Sequence, residues 1–395
     1  MVGLLTLNSK IYNYGGYLQE MALQDAIESL GYQCEIIDYD VTQECNTFSL
    51  KRDIRNFTFD KIKEKLIKNK NPLINTSVEN SIKVRREAFD SYRSQTLKLS
   101  EKMDYDKLKS KNLYFDRLVC GSDQIWNPDY NIPSFFLNFG NTNCKKIIYA
   151  ASIGKNSLTK RESKVYRELL NNPDNISVRE HSAQKLISEL TETDVELVLD
   201  PTLLHDEVYW NKKADDSTLF INEDYVFCYF LGLSAEKVYN ANEFAKAHNC
   251  KLITIPFLHD EFDDFSDKFE GEHLSNVGPA DFLNLIRNSK FVLTDSFHAV
   301  VFSIIFNKNF WCFSRNVGNY SMNTRLDTLL EYVDLQDRMI SIDKLLTQSF
   351  DEKIIIYGLG IVHAGNEPFG QNNTRKFGAA YDYAGRHAPK RNKTG

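Results

Sequence analysis

The stretch Thr294-Asp295-Ser296-Phe297-His298 sets an acid, a hydroxyl and a histidine between the apolar run ending at Leu293 and a second one, 299–306. A histidine placed there has two readings. It is a hydrogen-bonded core side chain, or it is a proton donor held at the mouth of a cleft, its ordinary pKa of ~6.5 lying close to neutral pH. A second polar loop, Gly121-Ser122-Asp123-Gln124-Ile125-Trp126-Asn127-Pro128, offers Ser122, Asp123, Gln124 and Asn127 as hydrogen-bonding groups and Trp126 as a flat apolar surface. That mixture suits a sugar, apolar on its faces and hydroxylated at its rim. The competing reading is a capped strand end with Trp126 in the core. Arg179 follows the run Ile176-Ser177-Val178, where a guanidinium can grip a carboxylate or phosphate through two parallel bonds, or pair with Glu180 or another acid. Arg315 and Arg325 add positive charge beyond a later strand, whereas Asp200-Pro201-Thr202 reads as a turn device rather than a substrate contact.

Familiar signatures are missing. Asn13-Tyr14-Gly15-Gly16 does not match G-x-G-x-x-G, and no G-x-x-x-x-G-K-[ST], H-E-x-x-H or G-x-S-x-G occurs. The eight histidines show no ligand spacing, so no metal is expected. Seven scattered cysteines without a CxxC pair indicate neither a zinc site nor a disulfide framework.

These loops need a scaffold, and the apolar pattern supplies one. Residues 2–7 read as a short buried strand. A loop and a helix follow, with Leu18, Met21, Ala22, Ala26, Ile27 and Leu30 at helical spacing and Gly31 as the stop, then a strand at Cys34. This is a βαβ unit, which places the Asn13–Gly16 loop, with Gln19, beside a helix N-terminus where parallel sheets bind ligands. Residues 45–110 turn charged and amphipathic, and their interleaved acids and bases describe solvated helices packed on the sheet edge. Apolar runs that end in polar turns then resume, followed by a second β-α-β-α-β series. The expected architecture is α/β: two Rossmann-like doubly wound domains, 1–205 with a helical insertion near 45–110 and 206–350, facing a cleft lined by loops from both. Residues 351–395 read as an irregular basic tail.

The 395 residues are too many for one ordinary core. Apolar residues at 42% and charged residues at 26% describe a soluble globular chain, and a net charge of −6 gives no general support for nucleic-acid binding. The N-terminus lacks the basic start and apolar core of a signal peptide, and no run approaches a membrane span. A cytoplasmic protein is expected.

The motifs in order (NYGGYLQEMALQ, GSDQIWNP, YAASIG, SVRE, VLDPTLL, TDSFH, NTRLDTLL) resemble the polysaccharide pyruvyl transferases over residues 1 to about 345. The pairing of GSDQIWNP with TDSFH is the specific part. The resemblance implies the two-domain fold of nucleotide-sugar (GT-B-like) glycosyltransferases. It also implies transfer of a pyruvyl group from phosphoenolpyruvate to two hydroxyls of a sugar, as a ketal. His298 would then be the general acid and Arg179 a ligand for phosphoenolpyruvate. Asp295 would raise the pKa of His298. Contacts to substrate would come from Asn13, Tyr14, Gly15, Gly16, Gln19, Gly121, Ser122, Asp123, Gln124, Trp126, Asn127, Ser152, Ser177, Ser296, Arg315 and Arg325. Some members carry Asp-Arg-Leu-His where this chain reads Asp295-Ser296-Phe297-His298; Arg315 and Arg325 are the candidates to replace that arginine. No cofactor is expected beyond phosphoenolpyruvate as co-substrate. The partner is a saccharide or lipid-linked oligosaccharide acceptor, not nucleic acid. A lipid-linked acceptor would bring the protein to the inner face of the membrane. The oligomeric state stays open. Two other readings keep the same scaffold: a glycosyltransferase using a nucleotide sugar, and a non-catalytic carbohydrate-binding relative.

Overall fold

The computed structural model of the protein describes residues 1–7, 12–39, 44, 72–110, 113–130, 132–140, 143–255, 268–317, 320–321 and 323–348. The expected tail and the amphipathic run at 59–67 lie outside the described residues. In chain order, the first half contains β1 (Val2–Leu5), α1 (Tyr14–Ser29), β2 (Cys34–Ile36), α2 (Pro72–Thr96), α3 (Tyr105–Lys109), β3 (Arg117–Cys120), β4 (Lys145–Ala151), α4 (Lys160–Leu169), β5 (Asn175–Val178), α5 (His181–Thr191) and β6 (Glu196–Leu197). Its six strands form one parallel sheet in the order β2-β1-β3-β4-β5-β6.

The second half contains α6 (Glu207–Ala214), β7 (Tyr225–Tyr229), α7 (Ala235–Ala247), β8 (Lys251–Thr254), β9 (Glu272–His273), α8 (Pro279–Asn288), β10 (Phe291–Thr294), α9 (Phe297–Ile305), β11 (Asn309–Phe313), the small hairpin β12 (Asn316–Val317) and β13 (Tyr320–Ser321), α10 (Thr324–Tyr332) and β14 (Met339–Ile340). A second parallel sheet runs β14-β11-β10-β7-β8-β9. The protein is therefore a two-domain, doubly wound Rossmann-like α/β fold.

Local chemistry sets the boundaries. Gly31, at φ +86°, ends α1 and donates to the Glu28 carbonyl at 2.8 Å, a conformation costly for any residue with a Cβ. Thr159 and Glu162 cap α4 reciprocally. Pro279 opens α8, where Asp281 accepts from the Gly278 amide at 2.8 Å. All residues of β7 and β10 are buried, as expected of strands covered on both faces.

One element differs from expectation. The sequence pattern puts the amphipathic run 84–99 on a sheet edge; instead α2 lies across both domains. Its Phe89 packs against Tyr14 and Tyr17 of α1, while Tyr92 donates to Asp216 at 3.2 Å and Arg85 reaches the Ser275 and Leu274 carbonyls. Tyr14 also crosses between domains, stacking on Phe282 at 4.6 Å and donating to the Val277 carbonyl at 2.8 Å. One apolar cluster accordingly runs from Val2, Leu18 and Met21 to Phe227, Phe282, Val292 and Phe302. Among the described residues, no helix is long and apolar enough to cross a membrane.

Candidate functional site

Parallel strands end on one side of their sheet, so the loops that follow them gather at a single edge. The polar loops after β3, β5 and β6 meet those after β7, β10 and β11 there. At the first of these, Gly121 has φ +147°, and a Cβ on it would stand 1.9 Å from the Tyr149 carbonyl oxygen. Only glycine lets the chain pass so close to β4. Gln19 of α1 then pins the loop: its Oε1 accepts from the Ser122 amide at 2.8 Å, and its Nε2 donates to Thr6 and to the Gly16 carbonyl. Asp123, at φ +61°, is thereby aimed at Arg179.

Arg179 is the hub. Its side chain is 1% exposed; Nη2 donates to Asp123 Oδ1 at 2.6 Å and Nη1 bonds Asp200 Oδ2. Of the two readings of this residue, the structure shows the ion pair, with Asp123 and Asp200 as close partners and Glu180 Oε2 farther off at 4.0 Å. Only Nε of its guanidinium lacks a hydrogen-bond partner. Phe297 lies under the guanidinium at 4.6 Å and under that of Arg325 at 5.7 Å, a cation–π arrangement that holds two like charges together. Arg325 lies 3.7 Å from Asp123 and, with the Gln124 amide oxygen turned towards it, donates to that oxygen from Nη2 at 2.7 Å and Nη1 at 3.1 Å. Burial, and then Arg179 beside it, push the Arg325 pKa down to about 10.

His298 enters from the other domain, in the first turn of α9 behind its N-cap residue Ser296, whose hydroxyl makes no capping bond. The ring rests on α1: a Cβ on Gly15 would lie 2.0 Å from Nδ1. Nε2 points into the site, 3.7 Å from Asp200 Oδ2, and has no hydrogen-bond partner although the side chain is only 7% exposed. Asp200 binds Thr202 through Oδ1, at 3.0 Å to the amide and 2.7 Å to the hydroxyl, leaving Oδ2 to the site. Arg315 runs along Gly232 beside Asp295, and its Nε is buried and unpartnered.

Several expectations need correction. Asp295 is not the carboxylate beside His298. It accepts from the Leu231 and Gly232 amides at 2.6 and 3.1 Å and from Lys237 at 2.8 Å, because the end of β10 directs it towards β7 while α9 turns His298 the other way. Trp126 is no sugar platform. It is wholly buried, stacked on Phe136 and bonded to the Phe135 carbonyl. Tyr14 is likewise core. Ser152 donates to Glu180 at 2.9 Å and Ser177 to the Ile148 carbonyl at 3.1 Å, so both are framework. Asn13 caps α1 through the Gly16 amide at 3.1 Å. Gly16 lies close to the Asp123 carboxylate, and Asn127 accepts within its own loop, its Oδ1 taking the Asp129 amide at 3.0 Å. The site thus brings together Gly15, Ser122, Asp123, Gln124, Arg179, Phe297, His298 and Arg325. Sequence reading missed Asp200 and Lys237. The first was visible as a polar residue at a strand end, but the turn explanation sufficed for only one of its two oxygens.

The buried carboxylates predict an acid-labile fold. Burial alone would raise Asp200 and Asp123, but the cations overcome it. Arg179 and His298 act on both, Arg325 on Asp123 and Thr202 on Asp200, and each carboxyl is held below the ordinary range. A depressed folded pKa gives stability that is present above the unfolded value of ~3.9 and disappears as pH falls through the folded one. Glu20 works in the opposite sense: burial pushes it up to about 7, so its contribution is lost as pH rises towards that value. The urea midpoint should therefore peak near about pH 4–5, drop as the pH falls below that, and decline as the pH rises to about 7, where the Glu20 contribution is gone; a midpoint flat down to pH 3 would contradict this account.

Compared with known proteins, residues 13–316 match the family described as polysaccharide pyruvyl transferase. No curated protein matches the chain. Among solved structures, UDP-N-acetylglucosamine 2-epimerase from Rickettsia bellii is similar at 12% identity, with 98% of each chain covered and a TM-score of 0.46. The Methanocaldococcus jannaschii UDP-GlcNAc 2-epimerase shows 15% identity, with 95% of this chain and 97% of that chain covered and a TM-score of 0.44. ADP-heptose lps heptosyltransferase II from E. coli shows 12% identity, with 79% of this chain and 84% of that chain covered and a TM-score of 0.34.

Proposed function

The chain belongs to the polysaccharide pyruvyl transferase family, and on that premise we propose that it moves the pyruvyl group of phosphoenolpyruvate onto two hydroxyls of a sugar in a cell-surface or exopolysaccharide precursor. Phosphoenolpyruvate carries a masked enol. Adding a proton to its methylene carbon leaves a cation at the neighbouring carbon, which one sugar hydroxyl attacks. Phosphate departs, the second hydroxyl closes the ketal, and both hydroxyl protons are released. The first step calls for a positioned acid, and the anion calls for fixed cations.

The observation that supports this reading is that His298, Arg179 and Arg325 all pack on Phe297, and that His298 Nε2 and the Nε atoms of both arginines are buried without a hydrogen-bond partner. A buried polar atom without a partner is costly unless a ligand supplies one. In this reading His298 delivers the proton, while Arg179, Arg325 and Arg315 meet the carboxylate and phosphate. The sugar lies against the loop that carries Gln124, and a lipid-linked acceptor would be met at the membrane surface. The test is phosphate release from phosphoenolpyruvate across a panel of saccharide acceptors, with mass spectrometry of the product. Release together with a pyruvylated sugar supports the proposal. Consumption of a nucleotide sugar instead, with no phosphate from phosphoenolpyruvate, would replace it with a glycosyltransferase.

Gly15 provides a sharp check on geometry. A methyl group there meets the imidazole at 2.0 Å, so Gly15→Ala must displace the ring. A displacement of about 1 Å costs on the order of 10²-fold in rate. The expected outcome is a fall in kcat of that size with an unchanged circular dichroism spectrum; wild-type kcat would show that the ring position is unimportant.

A further inference from the structure

Asp200 joins two groups that the proposed chemistry treats separately. Its Oδ2 is shared by the Arg179 guanidinium and the approach of His298 Nε2 at 3.7 Å, and Oδ1 is fixed by Thr202. The two partners come from different domains, Arg179 after β5 and His298 on α9. The guanidinium has first claim on the carboxylate, and the imidazole stands just beyond hydrogen-bond reach.

The charges around His298 can be named from each neighbouring element. The first domain contributes Asp123, Arg179, Glu180 and Asp200, with the Tyr149 hydroxyl near Asp200. From α10 comes Arg325, and from beyond β11 comes Arg315. Asp295 is neutralised by Lys237. Asp281 and Arg287 of α8 are engaged by Ser217 and Asp215, and His205 is bonded to the Ala22 carbonyl. From α1 it is the Gly15 backbone that touches the ring. Three carboxylates thus face two buried guanidiniums, and among the described residues Asp200 is the carboxylate within 4.0 Å of His298.

We propose that Asp200 is the positioning residue of His298, and that it exchanges partners: an anion entering on Arg179 takes over the guanidinium and releases Oδ2 to the imidazolium. The carboxylate then holds the ring by a charge-assisted bond and keeps it protonated while the anion is in place. No covalent bond changes; two ion pairs are traded. This rests on the reading of His298 as proton donor and of Arg179 as an anion ligand, and it adds that the acid is armed by the substrate.

The test follows the His298 imidazole by NMR, assigned through the signal lost in His298→Gln, with inorganic phosphate as the anion. In the wild-type protein, saturating phosphate should move the His298 titration upward; no movement would overturn the exchange. In Asp200→Asn the phosphate-induced rise should shrink to the direct effect of the anion. An undiminished rise in folded Asp200→Asn would refute the role. The wild-type measurement stands even if that variant does not fold. If phosphoenolpyruvate proved not to be turned over while this behaviour held, the substrate assignment would fail and the pairing would survive.

Discussion

His298→Gln should lower turnover of phosphoenolpyruvate by roughly 10²- to 10⁴-fold, the range that a positioned acid contributes. Glutamine nearly matches imidazole in length and polarity but carries no proton that it can give to carbon. The Gly15 backbone and Phe297 still flank the position, at 5.1 Å between ring centroids in the latter case, so the fold should persist. The loss should fall mainly on kcat, because the proton moves only in the transition state. Steady-state kinetics with phosphoenolpyruvate and a competent acceptor measure it, and a variant as fast as wild type would remove His298 from the chemistry.

Arg179→Met should have the largest effect on stability. Methionine fills much of the volume but leaves Asp123 and Asp200 buried without their principal cation, the former 8% exposed and the latter 2%. Removing one partner from a buried ion pair costs about 3–5 kcal/mol. The urea unfolding free energy should fall by that amount, and lowering the pH should recover part of it as the orphaned carboxyls take up protons. A loss of under about 1 kcal/mol would mean that these carboxylates find other partners in the native state. The same variant should bind phosphate weakly, since Arg325 alone remains over Phe297.

Most of the scaffold could be read from the chain because parallel strands are written as short apolar runs. Val226–Tyr229 and Phe291–Thr294 could hardly be anything else. Gly31 announced the end of α1 by the conformation it alone adopts cheaply. What could not be read was pairing at a distance. Amphipathicity in α2 says that one face is covered but not by what, and the cover comes from both domains. Adjacent letters also mislead. Asp295 and His298 are three residues apart, yet the strand end and helix start send them to different neighbours, and the acid that His298 meets is 98 positions away. Trp126 fell to the core because an indole with a carbonyl for its N–H is satisfied there as well as at a surface. Nothing in GSDQIWNP alone chooses between the two.

The apolar cluster that runs from β1 and α1 through Tyr14 and Phe89 to Phe282 and Phe302 has a consequence for how the molecule comes apart. Two sheets joined by a thin polar seam would melt one after the other, each at its own temperature. Here heat must strip a shared apolar layer as well as the core that each sheet keeps to itself, so the two domains should melt in one transition rather than two.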